Sequence, residues 1–308
     1  MSKAATADAS LVRSAIYMDT LVTIEVRPPA AETECAARVT KAFGWFAHVE
    51  RLCSRFDPDS ELSRISATCG TPVRVSPMLF ELISFACAVA QETGDTFDPT
   101  VGHAMEKRGF DRNFRTGERV SSELCSQSRA DHRDVVLDPA VRSVTLTRPA
   151  VLDLGAIAKG FAIDLASREL EPLGDFAINA GGDILARGNH SRGAPWRIGI
   201  RNPREPSDAI ETLLISDAAV CTSGDYERPD GNGGHHLLDP QTGEPAVGIA
   251  SATVIAPSAL LADALSTAAF LMHPKSGIEL LECQNVEGLI ISADLQKHET
   301  KGLSKYRP

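Results

Sequence analysis

Alternating apolar and polar positions open the chain. Residues 13–27 read as two β segments, RSAIYM and LVTIEV, around Asp19-Thr20. Residues 31–55 change period: Ala, Glu, Arg and Phe carry apolar positions at helical spacing, and the helix must stop before Pro58. Ser60 is placed to cap a short helix with Ser63 in its first turns. Ser76 at the N-cap, Pro77 in the first turn and Gly94 at the stop frame a further helix, whose core face is Leu79, Leu82, Ile83 and Ala86. Residues 103–130 are polar and read as a surface excursion. VVLDPAVRSVTLT then predicts a hairpin turning at Asp138-Pro139, and VLDL a short strand before the helix AIAKGFAIDLASREL. FAINAGGDILARG is strand, glycine turn, strand; WRIGI, TLLISDAAVCTS and SATVIA are further strands. Ser258 caps a helix running LLADALSTAAFLM, and a last helix and the strand GLIIS close the chain. Strands and helices mix without regular βαβ alternation, so the expected class is α+β, a mixed and largely antiparallel sheet packed with helices. The expected organisation is a single unit over residues 1–308, in one or two lobes, since no repeat or long linker divides it.

Composition narrows the partners. The 308 residues are 43% hydrophobic, enough for a sizeable core, and the net charge is -10. Such acidity excludes nucleic acid as an expected partner, because neutralising phosphates takes clustered Lys and Arg. An anionic ligand would need a local device, a metal ion or a helix N-terminus. The seven cysteines are odd in number and never spaced as CxxC, which points to a reducing compartment. No apolar leader, lipid-accepting cysteine or span of bilayer length stands in the chain, so no membrane anchor is visible and the expected location is cytoplasmic.

A few segments could carry chemistry. In ADALST, Asp263 and Thr267 are four residues apart and share one helical face, with Ser266 beside them. An acid with hydroxyl oxygens suits a hard cation such as Mg²⁺, although by spacing alone a solvated acid and a capping Thr is the commoner reading. DLGAIAKG places Asp153, Gly155 and Lys159 at a strand-to-helix turn, a plausible phosphate cradle or simply a tight connection with a surface lysine. NAGGD and SGDYER are turns by default; Tyr226 and Arg228 in the latter are either ligand contacts or merely exposed. HHLLDPQTGEP holds His235 and His236 next to a glycine-rich loop, where a neutral imidazole could accept a proton. Phe97 and Asp98 sit in the loop TGDTFDPTVG, and Phe56 at a helix end is core unless a ring stacks on it.

Taken in order, MDT, SRFDPDSELSRI, TGDTFDPTVG, DLGAIAKGFAID, INAGGDI, TSGDYER, HHLLDPQTG and TVIAPSALLADALST resemble the ApbE family, the FAD:protein FMN transferases. The resemblance implies Mg²⁺-dependent cleavage of FAD to AMP, with FMN joined through a phosphoester to a Thr or Ser hydroxyl of an acceptor flavoprotein. It implies metal ligation by Asp263 and Thr267, with Ser266 adjacent, and by the main-chain oxygen of Ala156. Met18, Phe56, Thr96, Phe97, Asp98, Asp153, Lys159 and Leu238 fall where the family contacts FAD, Phe56 as the ring on the isoalloxazine, and His236 matches the catalytic histidine. The chain reads MDT where the family usually has MGT, which adds Asp19 near the expected flavin site. Two rivals use the same residues: an FAD pyrophosphatase, with water as acceptor, and a flavin-binding protein without turnover.

Overall fold

The chain begins with an antiparallel pair, β1 (Leu11–Tyr17) and β2 (Thr20–Arg27), joined at Met18-Asp19, both of positive φ. The structure, a computed structural model, describes residues 10–27, 31–122, 129–191, 193–229 and 234–308. On β2 the residues Val22, Ile24 and Val26 are fully buried, the period-two face of a strand against a core. Helix α1 (Glu32–Cys53) buries Val39, Ala42, Phe46 and Val49 at helical spacing and ends before Pro58 as expected. The Ser60 side chain accepts from the Ser63 amide and starts α2 (Glu61–Ser66). After β3 (Val73–Arg74), Ser76 caps α3 (Pro77–Glu92) by accepting from Leu79, and Gly94 takes φ +60° just past its end.

The polar excursion is not featureless. It opens with α4 (Gly102–Lys107), and part of it lies outside the described residues. β4 (Val135–Asp138) and β5 (Ser143–Leu146) form the expected hairpin, and with β3 a small sheet ordered β3-β5-β4. VLDL is not a strand. Val151 makes one isolated bridge to Val101, and the rest of the run is buried as an extended approach to α5 (Gly155–Leu170). An apolar run of that length fits buried coil as well as strand, and among the described residues its pairing stops at that single bridge.

β6 (Asp175–Ala180) and β7 (Asp183–Arg187) are joined by Gly181-Gly182 at φ +64° and +101°, a two-residue hairpin that needs positive φ at both positions. β8 (Trp196–Arg201) and β9 (Ala209–Ile215) pair as a two-stranded ribbon. TLLISDAAVCTS, expected as one strand, breaks at Ser216-Asp217, where Asp217 has φ +56°, and continues as β10 (Ala218–Gly224) in a different sheet. β11 (Ile249–Ala256), α6 (Ala259–Phe270), α7 (Pro274–Cys283), β12 (Glu287–Ser292) and β13 (Lys297–Glu299) complete the chain.

The main sheet runs β1-β2-β6-β7-β10-β11-β12-β13, every neighbour antiparallel, so the fold is α+β with elements from both ends of the chain in one sheet. One face packs on α1, α5 and α6; the other face of β10, β11 and β12 is covered by the β8–β9 ribbon. All eight residues of β11 are accordingly buried, because both its faces are covered. A further cluster joins α2, α3 and the small sheet to Ala264 and Ala268 of α6.

The crossing of α5 and α6 positions the site. A Cβ on Gly160 would stand 2.3 Å from the Ala259 carbonyl, so only glycine allows this approach. The Asp164 carboxylate accepts from the Ala259 and Leu260 amides at 2.8 and 2.9 Å, pinning the start of α6 to α5.

Candidate active site

Three segments remote in sequence converge on one ammonium. Lys159, in the first turns of α5, has its Nζ 2.7 Å from Asp183 Oδ2 at the start of β7 and 3.5 Å from Asp263 Oδ1 on α6. Both carboxylates are buried, at 3% exposure each. Burial works against the Lys159 charge, but Asp183 and then Asp263 outweigh it and its pKa is raised. Desolvation raises the Asp263 pKa; Lys159 pulls it down and Asp183 pushes it up. Two carboxylates around one ammonium leave a negative charge in excess when all are ionised. Asp183 belongs to the INAGGDI segment but was not among the site residues expected from sequence, because its partners lie 24 and 80 positions away.

The proposed metal ligands are close together. Asp263 Oδ2 accepts from the Gly160 amide at 3.0 Å. A regular helix directs that amide at the Ala156 carbonyl, so carbonyl and carboxylate lie around one donor. Ser266 and Thr267 are buried and linked to β10: Ser223 Oγ is 2.9 Å from Ser266 Oγ and 3.1 Å from Thr267 Oγ1. Ser266 also donates to the Asp263 carbonyl at 2.9 Å, which makes it a tie within the helix turn. No group of three His, Cys, Asp or Glu suited to a metal occurs among the described residues. A cation here would rest on Asp263 and neutral oxygens. That sparse hard-oxygen set, with its surplus negative charge, fits Mg²⁺, which keeps several waters.

Of the residues expected on the flavin side, Asp153 is the most connected. Its Oδ1 accepts from the Gly155 amide at 2.7 Å and its Oδ2 from Arg55 Nε at 2.6 Å. Its own amide donates to Pro99 at 2.8 Å, which brings the loop of Thr96, Phe97 and Asp98 alongside. Phe97 is core, 3% exposed. Asp98 is engaged by its own loop, accepting from the Thr100 amide and hydroxyl and from the His132 amide at 2.8, 2.7 and 3.1 Å; burial raises its pKa. Thr96 is half-buried beside them. The Phe56 ring carries the Arg55 guanidinium 4.1 Å from its centroid. Met18 is held by its amide, which donates to Glu50 at 3.1 Å, and Arg115 of the polar excursion closes on the same carboxylate at 2.7 and 2.8 Å. Leu238 is buried and bridges Pro245.

The two histidines separate by their hydrogen bonds. His235 is buried; its Nε2 faces the Ala246 carbonyl at 3.0 Å and its Nδ1 accepts from the Leu237 amide at 3.2 Å, so both nitrogens are used structurally. His236 is half-buried, with Nδ1 3.2 Å from the Glu227 carbonyl. A carbonyl only accepts, so Nδ1 carries the proton and Nε2 keeps a lone pair. Removal from water, then the Arg228 charge, lowers the His236 pKa to about 3. Its ring packs edge-on to Phe110, centroids 6.4 Å apart. Within SGDYER, Tyr226 folds over Gly224, where a Cβ would meet its ring at 2.6 Å, and Arg228 supplies charge toward His236.

Comparison with known proteins agrees with this architecture. The model of the ApbE family matches residues 18–290, and the chain belongs to that family. It is 32% identical over 318 residues to the FAD:protein FMN transferase of Treponema pallidum, covering 94% of this chain and 87% of the relative. The Haemophilus influenzae protein of the same name is 30% identical over 274 residues, 84% of this chain and 79% of its own. Among solved structures, the ApbE protein of Thermotoga maritima superposes with a TM-score of 0.87 at 29% identity, over 97% of this chain and 100% of that one. The flavin transferase ApbE of Vibrio cholerae gives 0.82 at 25% identity, over 97% and 99%.

Proposed function

We propose that this chain is an FAD:protein FMN transferase. It breaks the pyrophosphate bond of FAD, releases AMP, and joins the FMN phosphorus to a Thr or Ser hydroxyl of an acceptor protein. The hydroxyl proton leaves through a base. The observation that carries the reading is Lys159 held between Asp183 and Asp263 at the first turns of α5. It sets an ammonium and a cation-demanding carboxylate beside the N-terminus of α5, in an otherwise acidic protein.

Asp263, Thr267 and the Ala156 carbonyl would hold Mg²⁺, with Ser266 bracing the turn. The ion would supply charge neutralisation of the pyrophosphate, which dominates phosphoryl-transfer catalysis. Lys159 adds a fixed positive charge, and Asp183 keeps it oriented. Asp153, Met18, Phe56, Leu238 and the loop of Thr96, Phe97 and Asp98 form the flavin side. His236 is the base for the acceptor hydroxyl, or orients the group that is. Its Nε2 lone pair is available, and bound pyrophosphate would offset the Arg228 and Lys159 charges and raise its low pKa toward working range.

No helix is long and apolar enough to cross a membrane among the described residues. The six described cysteines are free thiols, which fits a reducing compartment, and we infer that the chain works in the cytoplasm.

Intact-mass measurement of candidate acceptors after incubation with FAD and Mg²⁺ tests the proposal. One added FMN on an acceptor is expected. Free FMN and AMP without any adduct would instead establish a pyrophosphatase, and intact FAD would establish a binding protein.

A further inference from the structure

Arg55 was not among the expected site residues, yet it touches two of them, Asp153 and Phe56. Its side chain is 6% exposed. One guanidinium makes three contacts: Nε donates to Asp153 at 2.6 Å, Nη2 donates to the Phe110 carbonyl, and its carbon Cζ lies over the Phe56 ring, 4.1 Å from the centroid. Nη1 is buried without a hydrogen-bond partner. Phe110 in turn packs edge-on against His236. A buried donor left unpaired costs stability, and an arginine kept only to neutralise Asp153 has no reason to carry that cost. An acceptor oxygen brought by a ligand would relieve it.

We propose that Arg55 is a positioning residue for FMN transfer, a single planar group that holds the flavin-side residues Asp153 and Phe56 in register with Phe110 and, through it, with the imidazole of His236. The inference rests on the function proposed above. It requires arginine in particular, because a lysine ammonium, a compact point charge, can oppose Asp153 but cannot also cover the Phe56 ring and reach the Phe110 carbonyl. The polar excursion that carries Phe110 is thereby part of the site rather than a surface loop.

The test compares Arg55→Met, Arg55→Lys and the double variant Arg55→Met/Asp153→Asn with the parent. Imidazole NMR of the ligand-free proteins is read first, with the His236 signal assigned through His236→Gln, and FMN-transfer kinetics follow. Arg55→Met should displace the His236 signal, as Phe110→Ala should, and lower kcat by about ten- to a hundredfold. Arg55→Lys should recover KM for FAD more than kcat. Arg55→Met alone leaves Asp153 as an uncompensated, partly buried charge and can fail to fold. The double variant removes both charges, and it should regain the parent melting temperature while remaining slow. A folded double variant with parent kcat, or a His236 signal unmoved in the folded Arg55 variants, would overturn the proposal. If the parent forms no FMN adduct on any acceptor, the proposed function fails, and the imidazole comparison still decides whether Arg55 holds His236.

Discussion

The amide of Gly160 donates to the carboxylate of Asp263 at 3.0 Å, across the crossing of α5 and α6. One contact thereby joins packing to chemistry. The missing side chain at residue 160 lets α5 press onto α6, and the same residue's N–H orients the proposed metal ligand.

Gly160→Ala should therefore damage both. The added methyl has backbone as its nearest neighbour, so α5 must retreat, at an expected cost of about 1–3 kcal/mol. Thermal unfolding should show a lowered melting temperature, and FMN transfer should fall further than the stability loss explains. A variant as stable and active as the parent would mean that the crossing relaxes without moving Asp263.

Turnover of FAD should require a divalent cation, and Asp263→Ala should nearly abolish it. The carboxylate is buried, its pKa raised by desolvation, and the other acid of the cluster, Asp183, is already engaged by Lys159 at 2.7 Å and by the Thr222 amide at 3.2 Å. Full activity in excess chelator would show that Lys159 alone supplies the positive charge.

Asp183→Asn probes the residue that sequence reasoning overlooked. It keeps the size but removes the charge nearest the Lys159 ammonium, which Asp183 approaches at 2.7 Å. Lys159 should then be less well fixed, and kcat should fall by roughly tenfold or more, with KM for FAD changed less. Equal effects on binding and turnover would place Asp183 in substrate binding instead.

Phe56→Ala should weaken FAD binding more than it slows the chemical step, because stacking is felt alike in the ground and transition states. Loss of an aromatic contact of about 0.5–1.5 kcal/mol beyond its area raises KM by several- to about tenfold. An unchanged KM with a much lower kcat would assign the ring to holding Arg55 rather than the flavin.

His236 ties catalysis to pH. His236→Ala should leave FAD affinity near normal and cut FMN transfer by at least about a hundredfold. In the ligand-free fold its pKa is about 3, whereas the unfolded chain has the ordinary value of 6.5. The unfolded state therefore takes up the proton first on acidification. The stabilisation is complete above pH 6.5 and is lost as pH falls from there toward 3. Urea midpoints should decline less steeply over that window in His236→Gln than in the parent. Parallel slopes would mean that the imidazole titrates normally in the folded protein.

What the sequence determined by itself was local. Ser60, Ser76 and Ser258 cap the helices that follow them, and Gly181-Gly182 turns the hairpin, because a cap or a two-residue turn is satisfied within a few residues. The ordered motifs from MDT to ADALST identified the family, and the alternation of strand patterns without βαβ units identified α+β. Tertiary structure decided what depended on distant neighbours. VLDL pairs at one bridge, Val151 with Val101, and not as a ladder, and TLLISDAAVCTS split between two sheets at Asp217. His235 and His236 are alike in sequence, and only the Ala246, Leu237 and Glu227 groups that face them make one structural and leave the other a free Nε2. Asp183 and Arg55 gained their roles from Lys159 and Asp153, each far along the chain. A buried charge is defined by the partner that the fold brings to it, and no local spacing encodes that partner.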